Sequence, residues 1–106
     1  MQRDVILSED NGRLTARIIG DIDHHTARPI RESIDRMLFE TKPHTLVIDF
    51  SGVEFMDSSG LGLILGRVEK ATALSCEVVL TGASVRLMKL ISLSGIDRVR
   101  HLTVVK

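Results

Sequence analysis

Residues 45–72 read TLVIDFSGVEFMDSSGLGLILGRVEKAT, and the fold follows from this stretch. Thr45 to Phe50 is an apolar run of strand length, the pattern of a strand buried on both faces. Ser51 to Met56 forms a short loop, and Asp57-Ser58-Ser59-Gly60 then opens a helix marked by Leu61, Ile64, Leu65, Val68 and Thr72. A buried strand feeding an amphipathic helix is half of a parallel crossover unit.

The same unit recurs on either side. Downstream, Glu77 to Leu80 reads as a strand, Thr81-Gly82-Ala83 as a turn, and Ser84 as the cap of a third helix with Leu87, Met88 and Ile91 inward. Gly95 is placed to end that helix in the left-handed conformation, and Val99 to Val105 makes a last strand. Upstream, Ile30, Ile34, Met37 and Leu38 define the first helix, and Thr26 as N-cap puts Pro29 in its first turn, where a missing N–H is harmless. Val5-Ile6-Leu7 and Leu14 to Ile19 flank Asn11-Gly12, a pair that tolerates positive φ and signals an antiparallel hairpin. The order β-β-α-β-α-β-α-β predicts an α/β fold with a mixed, mainly parallel sheet.

The 106 residues suit one domain, 1–106, with no linker or internal repeat. Fourteen basic and 14 acidic side chains cancel, so no electrostatic footprint for nucleic acid or an anionic membrane is present. Apolar runs are too short to span a bilayer. Met1-Gln2-Arg3-Asp4 opens no secretory signal, so a cytoplasmic protein is expected. Cys76 stands alone, which rules out an intrachain disulfide or a cysteine-based zinc site and points to an inert, partly buried thiol. His24 and His25 are adjacent and diverge by about 100° on a helix. With His44 and His101 far off in sequence, no third zinc ligand is evident.

The chemistry concentrates at Asp57 to Gly60. The plainest reading is that Asp57 or Ser58 caps the helix. A nucleophile elbow needs Gly-x-Ser-x-Gly, and Met56 occupies the place of the first glycine. A phosphate loop needs Gly-x-x-x-x-Gly-Lys, whereas Gly62 to Arg67 is one residue short and lacks the lysine. Neither catalytic pattern is met, and no enzyme is expected. Ser58, Gly62 and Gly66 fall at i, i+4, i+8 and form a shallow row. Either another element of this domain or a partner protein packs closely there. Asp49 reads as a local hydrogen-bonding group, and Arg86 and Lys89 as a solvated helix face.

Phe55 to Arg67 resembles the phosphorylation-site segment of STAS-domain anti-sigma factor antagonists, and Gly20 to Ala27 resembles the second signature of the sporulation type. Both match in content and spacing, and the resemblance covers residues 4 to about 102. It implies a STAS fold with about five strands and three helices. It also implies partner switching: the unphosphorylated protein binds an anti-sigma factor that is a serine kinase, and so frees the sigma factor. The kinase phosphorylates Ser58, and a PP2C-type phosphatase reverses this. The resemblance places Asp23, Asp57, Ser59, Gly60, Leu61 and Gly62 at the partner-binding surface. From composition and spacing, no cofactor, metal, nucleic-acid or membrane partner is expected. Family members usually continue into a C-terminal helix, for which the sequence ending Thr103-Val104-Val105-Lys106 has no counterpart, so part of the sheet or of the third helix is expected to be exposed. The competing reading is a STAS interaction or nucleotide-binding module of another signalling or transport system.

Overall fold

The computed structural model describes residues 4–105. Met1–Arg3, on which part of the reading against a signal segment rests, lie outside the described residues. The elements are β1 (Val5–Asp10), β2 (Arg13–Ile19), α1 (His24–Thr41), β3 (Thr45–Gly52), α2 (Ser58–Ala73), β4 (Glu77–Thr81), α3 (Val85–Ser94) and β5 (Leu102–Val104). A short 3-10 turn, Ile96–Arg98, separates α3 from β5.

The five strands lie in the order β1-β2-β3-β4-β5. β1 and β2 are antiparallel, and every later pairing is parallel. Asn11 and Gly12, at φ of 53° and 79°, make the two-residue hairpin turn that both residues must enter with positive φ. A Cβ on Gly12 would also lie 2.5 Å from the exposed His44 ring, so a larger residue there would have to displace that ring as well. Because the order advances in one direction, crossovers of one hand put all three helices on one face of the sheet.

Register shows which face that is. Leu14, Leu46, Val78 and Leu102 align across the sheet, as do Ala16, Ile48 and Leu80, and all of them are buried in the core. Ile30, Ile34 and Leu38 of α1, Leu63, Ile64 and Val68 of α2, and Leu87 and Ile91 of α3 cover them. The opposite face carries Thr15, Val47, Val79 and Thr103 in register, outside that core. Thus β3 is not buried on both faces by helices: Val47 is shielded at the sheet centre, while Asp49 and Ser51 remain accessible.

Three local expectations change. The N-cap of α1 is Asp23 rather than Thr26, because Thr26 is the third residue of a capping box and its hydroxyl accepts from the Asp23 N–H at 3.0 Å. Pro29 therefore lies inside α1, past the first turn, on an exposed face where water can reach the carbonyl it leaves unbonded. The buried stripe of α2 is Gly60, Leu63, Ile64, Arg67, Val68 and Ala71, which leaves Leu65 41% exposed. The last strand starts only at Leu102: Val99 to His101 turn, with His101 at φ 67°.

Ser84 caps α3 by accepting from the Leu87 N–H at 3.2 Å, and Gly95 ends it at φ 84°. Asp49 accepts from the Ser51 N–H at 2.9 Å, the local role the sequence indicated. Cys76 is buried, and burial pushes its thiol above its ordinary range, which keeps it protonated. No helix among the described residues is long and apolar enough to cross a membrane.

Candidate functional site

Two helix N-termini are locked side by side by main-chain bonds. Ile22, just before α1, forms an isolated parallel bridge with Met56, just before α2. The Ile22 N–H donates to Phe55 O at 3.0 Å, and the Asp57 N–H donates to Ile22 O at 3.1 Å. Ile22 and Met56 are both buried, so apolar packing fixes the bridge from below. In each segment the next residue is an aspartate that caps its helix. The two stretches singled out in the sequence therefore meet as one surface, through a bridge spanning 34 positions of chain.

Both aspartates spend their carboxylates on their own helices. Asp23 accepts from the N–H groups of His25 at 2.8 Å and Thr26 at 3.0 Å. These bonds hold the Asp23 carboxyl below its ordinary value of 3.8, the Thr26 N–H contributing most. Asp57 accepts from the Ser59 N–H at 2.8 Å. His24 and His25 are the first two residues of α1, with ring centroids 4.0 Å apart.

The depressed Asp23 carboxyl sets a pH dependence. Its stabilising charge is fully present above the unfolded value near 3.8 and is lost as pH falls through the lower folded value. Wild type should exceed Asp23→Ala in denaturant midpoint by a constant margin above about pH 5, and the margin should narrow below about pH 3.5. A margin independent of pH throughout this range would mean that the carboxylate charge contributes nothing.

Ser58 is the first residue of α2 and is exposed, and no protein group among the described residues bonds its hydroxyl. Ser59 is half-buried and Leu61 partly so, while Gly62 is exposed. Gly60 is buried: a Cβ there would sit 2.5 Å from Met56 Sδ and 3.0 Å from Met56 Cβ. It lets α2 start tight against the bridge and presents no surface of its own. Gly62 and Gly66 are different, since a Cβ at either would meet nothing within 4 Å. Among the described residues no other element of this domain packs onto the row at Gly62 and Gly66, which excludes the first of the two readings the sequence left open.

Sequence reasoning missed the charges that hold this surface in place. Arg67 is 2% exposed, and its Nε lies 2.8 Å from Oδ1 of Asp35 on α1. Burial pulls the guanidinium proton affinity down and Asp35 pulls it back up. Ala27, Arg31 and Asp35 form one row on α1, and Ser59, Leu63 and Arg67 form one row on α2. The Asp35–Arg67 pair thus pins the seam two helical turns behind Ser59. A charge next to Ile64 and Val68 on the apolar stripe of α2, matched by one next to Ile34 on α1, was the available signal.

A family model described as the STAS domain matches residues 4–104, and the chain belongs to that family. The anti-sigma F factor antagonist of Lysinibacillus sphaericus is 35% identical over 80 residues, covering 76% of this chain and 68% of that protein. The anti-sigma-B factor antagonist of Listeria monocytogenes is 30% identical over 93 residues, covering 87% and 80%. Among solved structures, the Bacillus cell fate determinant SpoIIAA in its phosphorylated form superposes with a TM-score of 0.73 at 28% identity, covering 96% of this chain and 91% of that one.

Proposed function

We propose that this chain is a cytoplasmic anti-sigma factor antagonist controlled by phosphorylation of Ser58. In the unphosphorylated form it binds an anti-sigma factor that is also a serine kinase, and the sigma factor is released. The kinase phosphorylates Ser58, the complex dissociates, and a PP2C-type phosphatase restores the binding form. The observation that carries this reading is an exposed, unbonded Ser58 hydroxyl on an Asp-capped helix N-terminus, flanked by the open face at Gly62 and Gly66. Relatives named as antagonists of anti-sigma F and anti-sigma-B factors support the same role.

Ser58 accepts chemistry and performs none. Phosphate at a helix N-terminus is locally tolerated, because the dipole and the unpaired N–H groups favour an anion. Phosphorylation therefore leaves α2 folded and changes only what the surface presents. Asp23, Asp57, Ser59, Leu61 and Gly62 make up the docking surface, with Gly60 supporting it from beneath. Incubation with the cognate kinase and ATP should place one phosphate on Ser58, located by peptide mass spectrometry. Phosphate on another residue, or none, would sink the mechanism.

Gly62 separates docking from folding. Gly62→Ala puts a better helix former where nothing obstructs it, and should stabilise the domain by about 0.5–1 kcal/mol, read as a raised melting temperature. A partner seated on the row meets the added methyl, so affinity for the kinase should fall by isothermal titration. A stabilised variant that binds undiminished would remove this face from the interface.

A further inference from the structure

Between the N-terminal halves of α1 and α2 lies a cavity of about 360 Å3, lined by His24, Arg28 and Arg31 from one side and by Ser59, Gly62 and Leu63 from the other. Gly62 leaves its side of the cavity open, since a Cβ there would meet nothing within 4 Å. The charges around it do not balance. Arg28 Nε meets Glu32 at 3.3 Å, but both side chains are more than half exposed, so this pair is weak and exchangeable. Asp35 is committed to Arg67, and Asp23 and Asp57 are turned onto their own helix N–H groups. Arg31 has no carboxylate within ion-pair distance among the described residues. Behind Leu63, Arg67 keeps a buried Nη1 without a hydrogen-bond partner among the described residues, and Arg31 adds further positive charge against it. Two capped helix N-termini open beside the same place, and each favours an anion.

We propose that this cavity is an intramolecular phosphate clamp, in which Arg28 and Arg31 hold the phosphoryl group carried by Ser58. The proposal rests on Ser58 as the acceptor and deepens that reading. A phosphate monoester supplies the dianion and the in-plane oxygens that guanidinium groups pair with in two-point fashion. Ser58 is exposed to a kinase, and its neighbour Ser59 already lines the cavity, so the modified turn borders the cationic side. Arg28 exchanges Glu32 for the stronger anion, and Arg31 gains its first. Both side chains then lie across the seam beside Gly62. Phosphorylation thereby alters the docking surface in two ways, by adding a phosphate and by drawing two arginines over the mouth of the cavity.

The test installs phosphoserine at position 58 during translation, so that it does not depend on any kinase. The second ionisation of the phosphate is then followed by 31P NMR. In Arg28→Gln/Arg31→Gln it should titrate about 0.5–1 unit higher than in the otherwise unaltered phosphoprotein, because two cations that favour the dianion are gone. Arg36→Gln/Lys70→Gln removes the same charge at the far end of the α1–α2 seam and should leave it nearly unmoved. Equal shifts in the two double variants, or none in either, overturn the clamp. A second arm titrates inorganic phosphate into the unmodified protein and follows the Ser59 and Gly62 amides. Saturable shifts lost in Arg28→Gln/Arg31→Gln support a cavity fitted to phosphate. If those shifts occur while phosphoserine 58 ignores both arginines, the cavity serves a free oxyanion and the clamp is overturned. Failure of a kinase to modify Ser58 would instead strike the functional reading and leave this measurement intact.

Discussion

Replacing Asp35 by asparagine should destabilise the domain by about 3 kcal/mol, a loss comparable to deleting a large core side chain. The reason lies in what remains. Arg67 is 2% exposed and sits among Ile64, Val68 and Leu63 on the buried stripe of α2, so its charge has almost no water to turn to once Asp35 is gone. Asp35 itself keeps 25% of its side chain accessible, which sets the expected cost at the lower end of the range for broken buried pairs. Removing the cation instead should be far milder. Arg67→Met keeps the length and fills the site with apolar atoms, and should fall within about 1 kcal/mol of wild type. Urea unfolding with an unchanged m-value would measure both. If Asp35→Asn costs under about 1 kcal/mol, the guanidinium is hydrated in solution and the pair does not pin the seam.

The second large effect is on binding. Phosphorylated Ser58 should lose about 100- to 1,000-fold in affinity for the anti-sigma kinase, equivalent to about 3–4 kcal/mol. The modification adds about −1.5 to −2 charge and three acceptor oxygens beside Asp57 and Asp23, on a surface already acidic at both helix caps. One desolvated like-charge contact is of this size. Ser58→Asp adds a smaller and singly charged group, so it should weaken binding in the same direction and by less. Ser58→Ala keeps a small uncharged side chain and should bind as wild type while accepting no phosphate. Isothermal titration of the four forms gives the series, and far-ultraviolet circular dichroism should show the secondary structure unchanged among them. Equal affinities for wild type and the phosphorylated form would end the switch as proposed.

Much of this molecule was legible before any coordinates. The order of elements followed from periodicity, because an alternation of 2 and one of 3.6 are written locally. So were the turn at Asn11-Gly12 and the stop at Gly95, whose φ values of 53°, 79° and 84° are ones that few residues tolerate. The start of α1 is ambiguous in the sequence, because aspartate, serine and threonine all serve as caps. The choice fell to Asp23 only when Thr26 bonded backwards to it. The buried stripe of α2 is hidden for a similar reason: hydropathy favours Leu65 over Arg67 for the interior, and the carboxylate that accommodates a buried Arg67 comes from Asp35 on the facing helix.

The sequence by itself determined an α/β chain with a hairpin start, and it marked Asp57-Ser58-Ser59-Gly60 and Gly20 to Ala27 as a pair belonging to one family. Those properties depend on neighbours in the chain, where backbone preference and hydrophobic period act. Tertiary structure alone decided that the two segments touch, through the bridge from Ile22 to Met56, and that Gly62 faces open space while Gly60 is buried. It alone gathered Arg28 and Arg31 opposite Ser59. These depend on which faces of α1 and α2 meet over the sheet, and that is set by the packing of Ile22, Met56, Leu63 and their partners in the core, at separations in sequence that no local pattern spans.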